Sequence, residues 1–264
     1  METPQAIDVH AHIGVYRQDE TPLENGFFSG DARLVLRRAR AAGVGITLVS
    51  SLDAMLPRLK GDPIAGNRSL HEIVCRSPGL RQWAVVDPTK PDTYAQAADL
   101  LQHPRTVGIK IHPEEHGYDI REHGRAIFEF AERHHAVVET HSGEENSRPA
   151  EFVRFADSFP GVTLILSHLG CGWDGDHGHQ VRAIQACRHG NIYTDTSSSQ
   201  SIYCGLIEWA VREAGADRIL FGTDSPIHSV AAQRARIDAA EIPAAAKRRI
   251  LHDNAARVFG RRVL

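Results

Sequence analysis

The sequence predicts a (β/α)8 barrel, the TIM-barrel architecture, as a single domain over residues 1–264. Three observations carry this. Eight short runs rich in Val, Ile and Leu recur along the chain, as strands buried on both faces of a parallel sheet require. Helical patterns lie between them, so successive strands are joined by crossover units. The runs begin at residues 6, 45, 82, 107, 136, 162, 191 and 218, at intervals of 25 to 39 residues, which suits one strand and one helix each. The alternative, a doubly wound open sheet, carries a GxGxxG turn after its first strand, and none follows residues 6–10.

The first run is Ala6-Ile7-Asp8-Val9-His10, and the polar stretch from Gly14 to Gly30 after it is expected to loop over the barrel mouth. A helix over Asp31 to Ala42 sets Leu34, Val35 and Leu36 among arginines. Runs two to four are Gly45 to Ser50, Gln82 to Asp87 and Val107 to His112. A helix over Gly124 to His134, carrying Ile127, Phe128 and Phe130, leads to the fifth run, Ala136 to His141. Pro149 to Phe159, with Phe152, Val153 and Phe155, leads to the sixth, Val162 to His168. The seventh is Asn191 to Asp195. Ile202 to Ala214 then carries Leu206, Ile207, Trp209 and Val211 before the eighth, Arg218 to Asp224. The segment after Pro243 closes on Ile250, Leu251, Val258 and Phe259.

Composition narrows the function. Hydrophobic residues are 42%, charged residues 24%, and the net charge is −3. Those values exclude disorder and coiled coil, and a chain this long can bury a real core. There is no basic excess for a phosphate backbone, so no nucleic-acid partner is expected. No apolar run reaches the ~18–20 residues of a membrane span, so no membrane partner is expected. Cys75, Cys171, Cys187 and Cys204 show no CxxC spacing and no secretory segment follows Met1. The reading is a cytoplasmic protein with reduced, mostly buried thiols. Its partner is a small-molecule substrate, and a homo-oligomer is compatible with the sequence.

The unusual number is 16 histidines. In a barrel, catalytic groups sit at the C-terminal ends of strands. His10 and His12 end the first strand, two residues apart and so on one face. His141 ends the fifth, His168 the sixth, and Asp224 the eighth. Gathering five titratable groups at one mouth is expensive without a compensating ion. Imidazole and carboxylate donors suit Zn2+, with Mn2+ or Fe2+ as alternatives.

These residues carry a resemblance. Ile7-Asp8-Val9-His10-Ala11-His12 looks like the opening DxHxH of the amidohydrolase superfamily. Gly108-Ile109-Lys110-Ile111-His112-Pro113, Ser167-His168-Leu169-Gly170 and Phe221-Gly222-Thr223-Asp224-Ser225-Pro226 resemble its amidohydrolase-2 branch, as does the closing Ile250 to Phe259. The likeness spans residues 6–260. It implies a divalent metal held by His10, His12, His141 and Asp224, with Asp224 and His168 as the catalytic groups. An ion so held acidifies a water toward ~7, and Asp224 and His168 would handle the proton.

Lys110 and His112 are read as substrate-binding groups or ligands of a second metal. In binuclear relatives the fourth-strand lysine is carbamylated. With Asp224 as the one anionic ligand, the charge is too small for two ions, so an unmodified lysine and one ion are expected. Loop residues Arg17, Arg148, Trp173 and His228 are candidate substrate contacts, an arginine being suited to clamp a carboxylate. Asp174, Asp176, His177 and His179 lie on the same loops. His116, His123, His134 and His135 read as surface histidines, and Glu114 and Glu115 as solvated charge.

The first functional reading is a metal-dependent hydrolase of a small amide, ester or lactone. The alternative is a lyase, decarboxylating or hydrating a small carboxylic acid at the same site. Less favoured are a TatD-like nuclease, whose fourth strand carries a glutamate where this chain has Lys110, and a metal-binding relative without catalysis.

Overall fold

The chain forms eight parallel strands in sequential order: β1 (Ala6–Ile13), β2 (Val44–Ser51), β3 (Leu80–Val85), β4 (Thr106–Ile111), β5 (Val137–Thr140), β6 (Leu164–Leu166), β7 (Ile192–Asp195) and β8 (Ile219–Leu220). The computed structural model describes residues 5–18, 21–198 and 202–264. Backbone bonds from just beyond β8 close the barrel onto β1: Val9 N donates to Phe221 O at 2.9 Å, Asp224 N to His10 O at 2.7 Å, and His12 N to Ser225 O at 2.6 Å. All eight apolar runs are strands, ending within a few residues of the expected limits.

Among the described residues, crossover helices join successive strands at Ala32–Ala41, Pro63–Arg76, Asp92–Leu100, Ile120–Arg133, Pro149–Ser158, His179–Ala186 and Leu206–Ala214, and Val230–Ala239 follows β8. Side-chain caps start several of them. Asp31 accepts from Leu34 N, Asp62 from Ala65 N and Ser229 from Ala232 N, each satisfying an amide with no partner inside the helix. Ala32–Ala41 buries Val35 and Ala39 and turns its arginines outward.

The barrel interior is filled. Ile7, Val9, Leu48, Trp83, Ile165 and Leu220 pack there, and Phe259 of the closing helix Asn254–Phe259 meets Trp83 edge-on at 5.5 Å. Trp83 Nε1 donates to Val9 O at 2.9 Å, so its polar atom is satisfied. Gly108 is required by this packing: a Cβ there would sit 2.3 Å from Val137 O and 2.6 Å from the Trp83 ring.

Three expectations are corrected. The Gly14 to Gly30 stretch is not all loop. It is pinned by an antiparallel bridge between its two end glycines and contains the exposed helix Pro22–Phe28, which a proline in its first turn starts. Only Cys171 and Cys187 are buried, while Cys75 and Cys204 are exposed. His116 is buried, its Nε2 3.2 Å from Ala54 O, because the one-turn helix Pro113–His116 folds back under the mouth. No helix among the described residues is long and apolar enough to cross a membrane.

Candidate metal centre and active site

The strand ends converge. His10 and His12 point inward from β1, and Asp224 and His168 follow β8 and β6 with φ of 57° and 69°. The left-handed region is strained for residues with a Cβ, and at both positions it turns a short chain segment and aims a site side chain at the barrel axis.

His10, His12 and Asp224 are buried, and their donor atoms lie within 4.8 Å of one another. His10 Nδ1 is 2.9 Å from Asp195 Oδ2 and 3.2 Å from Glu139 Oε1. His12 Nδ1 is 2.8 Å from Ser50 Oγ. Each outer partner fixes its ring and leaves Nε2 with a lone pair for an ion, the usual arrangement behind a metal-bound histidine. His12 Nε2 approaches Asp224 Oδ1 to 2.8 Å. Yet Asp224 Oδ1 makes no hydrogen bond among the described residues, so the two atoms face a common point instead of each other. The donor set fits a divalent cation.

The electrostatics agree. Asp8, Glu139, Asp195 and Asp224 are four buried carboxyl groups, and Lys110 is the one buried ammonium among them. Burial pushes Asp8 up to about 8 and Glu139 up to about 8, the latter against the pull of Lys110. Burial also acts on Asp195 and Asp224, but His10 holds Asp195 well below its ordinary value, and His12, His10 and His168 do the same for Asp224. His10 falls to about 4 through burial and Lys110. A site so rich in carboxyls and poor in cations is completed by an ion.

His141 stands apart from the three-residue cluster. Its Nδ1 is 3.0 Å from His168 Nε2, its Nε2 is 3.1 Å from Glu144 Oε1, and its ring stacks on His112 at 4.1 Å. His168 also meets Ser197 Oγ through Nδ1 at 2.8 Å. Burial and His141 hold its ring, like that of His112, well below the ordinary histidine value. His112 Nδ1 accepts from Glu115 N at 3.3 Å.

Lys110 pairs across the β4–β5 register with Glu139. Its Nζ lies 3.5 Å from Glu139 Oε1, 3.2 Å from Ser167 Oγ and 3.3 Å from His10 Nε2. An ion held by His10 would compete with that last contact, and Glu139 Oε2, buried and without a hydrogen bond among the described residues, would offer the ammonium a second acceptor.

The loop candidates lie outside the cavity lining. Arg17 pairs with Asp53 at the surface. Arg148 stacks over Trp173 at 5.0 Å, and Trp173 in turn stacks on His179. His228 comes nearest, its Nδ1 3.1 Å from Ser197 O and 3.3 Å from Asp224 Oδ2.

Asp195, Glu139, Ser50 and Ser197 are site residues that the sequence reading missed. Asp195 carried the same signal as Asp224, a carboxylate ending an apolar run. Glu139 was a lone charge inside such a run, opposite Lys110. Their presence revises the charge count, which had rested on Asp224 alone.

Residues 7–261 match the family model described as amidohydrolase. The chain belongs to the amidohydrolase-2 family. No curated protein sequence matches the chain. Its fold is similar to that of the 5-carboxyvanillate decarboxylase from Sphingomonas paucimobilis (TM-score 0.75, 16% identity, covering 97% of this chain and 99% of that one). It is similar as well to a dihydroxybenzoic acid decarboxylase from Polaromonas sp. JS666 with bound manganese and 2-nitroresorcinol (0.74, 17%, 97% and 96%). A candidate 2-pyrone-4,6-dicarboxylic acid hydrolase from Pseudomonas putida also matches (0.70, 18%, 98% of each chain).

Proposed function

We propose that this member of the amidohydrolase-2 family is a metal-dependent lyase that removes carbon dioxide from a small, flat carboxylic acid. The observation that carries this is the cavity at the barrel mouth. It measures about 160 Å³, and the His10, His12 and Asp224 cluster shares its lining with the apolar Leu52, Met55, Leu56 and Ile227. A cavity of that size admits only a small ligand. Decarboxylation turns a carboxylate into neutral carbon dioxide, so an apolar wall that sheds water disfavours the charged reactant more than the transition state. The decarboxylases among the structural neighbours support this reading over hydrolysis of a lactone or amide, which the candidate hydrolase neighbour represents.

A divalent ion held by His10, His12 and Asp224 supplies positive charge to anchor the substrate's oxygens and withdraw electrons. Manganese and zinc both accept these donors. The protein's own groups manage the proton. When the C–C bond breaks, its electron pair stays on the substrate carbon, carbon dioxide departs, and that carbon takes one proton. The His168–His141 pair holds a proton between two rings, and Glu144, half exposed beyond His141, links the pair to solvent. Lys110, beside the cluster, offers an ammonium to a substrate anion.

Hydroxylated aromatic acids incubated with the manganese-loaded enzyme in D2O are expected to release one carbon dioxide and gain one deuterium at the vacated carbon per turnover. Base consumption on lactones or amides, with no carbon dioxide from any acid, overturns the reading. His168→Ala is expected to lower kcat by ~10²–10⁴-fold, the loss of a positioned proton-transfer group, while the metal content stays at its wild-type level. Metal loss in that variant would make His168 a ligand.

A further inference from the structure

We propose that His71, Cys75 and His103 form a second metal site, for a borderline ion such as Zn2+, on the face of the barrel opposite the catalytic mouth. Cys75 Sγ lies 3.6 Å from His71 Nε2 and 3.7 Å from His103 Nε2, and the three donor atoms fall within 4.8 Å of one another. Zinc bonds of about 2.3 Å to sulfur and 2.0–2.1 Å to nitrogen, at tetrahedral angles, set sulfur and nitrogen about 3.6 Å apart. Both sulfur-to-nitrogen spacings are therefore those of a loaded site.

The fold presents these donors rigidly. His71 and Cys75 are one turn apart on helix Pro63–Arg76, on the same face. His103 lies in the turn before β4, and that turn is tied to the helix end by Arg105 Nη1, which donates to Val74 O at 2.7 Å. The orientation of His71 follows from its neighbour. Gln82 Nε2 donates to Asn67 O at 2.9 Å, so Gln82 Oε1 is an acceptor. His71 Nδ1, 3.0 Å from that oxygen, must carry the ring proton. Its Nε2 lone pair then faces Cys75, which is the tautomer a metal needs.

His103 is the adjustable member. Its Nδ1 accepts a long bond from Arg105 N at 3.2 Å, which leaves a proton on Nε2 aimed at the sulfur. Binding an ion would release one proton net, from the Cys75 thiol, while His103 moves its single ring proton from Nε2 to Nδ1 and gives up the Arg105 contact. Asp99 lines the same surface depression, of about 440 Å³, as His71 and His103, and it or water would complete the four-coordinate shell.

The site joins the end of helix Pro63–Arg76 to the turn feeding β4, both at the N-terminal ends of the strands. That end of a barrel serves stability, so the ion is a staple and takes no part in turnover. Zinc-loaded protein passed through a desalting column is expected to retain two ions per chain, falling to one in Cys75→Ala with kcat unchanged. Co2+ loading is expected to give a sulfur-to-cobalt charge-transfer band that vanishes in Cys75→Ala and weakens in His103→Ala. The barrel-mouth cluster has no thiolate, so it cannot supply this band. Saturating zinc is expected to raise the melting midpoint of the wild type by roughly 5 °C more than that of Cys75→Ala, in which only the barrel-mouth site fills. One ion per chain in the wild type, or a second ion and band that persist in Cys75→Ala, overturns the proposal.

Discussion

The double variant His10→Ala, His12→Ala is expected to lose one ion per chain and about 10³-fold or more in kcat. The two rings supply two of the three clustered donors, and Asp224 alone does not hold a divalent ion against water. A catalytic metal contributes several kcal/mol of transition-state stabilisation, and each 1.36 kcal/mol is tenfold in rate. The loss follows from those two numbers. Because Asp195 and Glu139 both face His10 Nδ1, removing that ring also leaves buried carboxyls with one donor fewer. Thermal unfolding of the variant therefore accompanies the assay, and His12→Gln, which leaves His10 with its carboxylate partners, serves as the milder test. Full metal content in the folded double variant would place the ion elsewhere.

The fold was legible because its signal is repetitive and local. Each parallel strand is buried on both faces, so eight apolar runs at regular spacing survive in the sequence whatever the loops do. The cluster His10, His12 and Asp224 was legible for the same reason, since position at a strand end dictates direction. What failed to show was pairing at a distance. Lys110 and Glu139 are neighbours only because β4 and β5 lie in a register that aligns them. Asp195 matters because it reaches His10, 185 residues away. His141 shows the limit differently: its place at the end of β5 is as expected, but its ring turns to His168, His112 and Glu144, a choice that depends on side chains from three other elements. The loop residues Arg17, Arg148 and Trp173 are candidates by their place after strand ends alone, and each finds a partner outside the cavity lining.

Lys110→Met is expected to destabilise the metal-free enzyme by about 3–5 kcal/mol at pH 9, the cost of leaving one member of a buried ion pair alone. The sign with pH follows from Glu139. Burial raises its carboxyl from 4.5 to about 8 despite Lys110. A group whose folded value is raised contributes most below its unfolded value, and that contribution is lost as pH rises through the folded one. Without the ammonium the carboxyl rises further, so near pH 6 it is protonated in both proteins and the deficit shrinks. Above pH 8 the wild type ionises beside Lys110 and the variant has no partner for the charge, so the deficit widens. Urea unfolding at pH 6 and pH 9 measures both. Lys110→Met with Glu139→Leu removes the pair together and is expected to recover much of the loss at pH 9. The same contacts weigh against a carbamate on Nζ, which would place a negative charge beside Glu139 and within the group that already holds Asp195 and Asp224. In a Cys75→Ala background, one ion per chain that survives Lys110→Met agrees with a simple ammonium. Two ions falling to one would mean a carbamylated bridge and a deficit with the opposite dependence on metal.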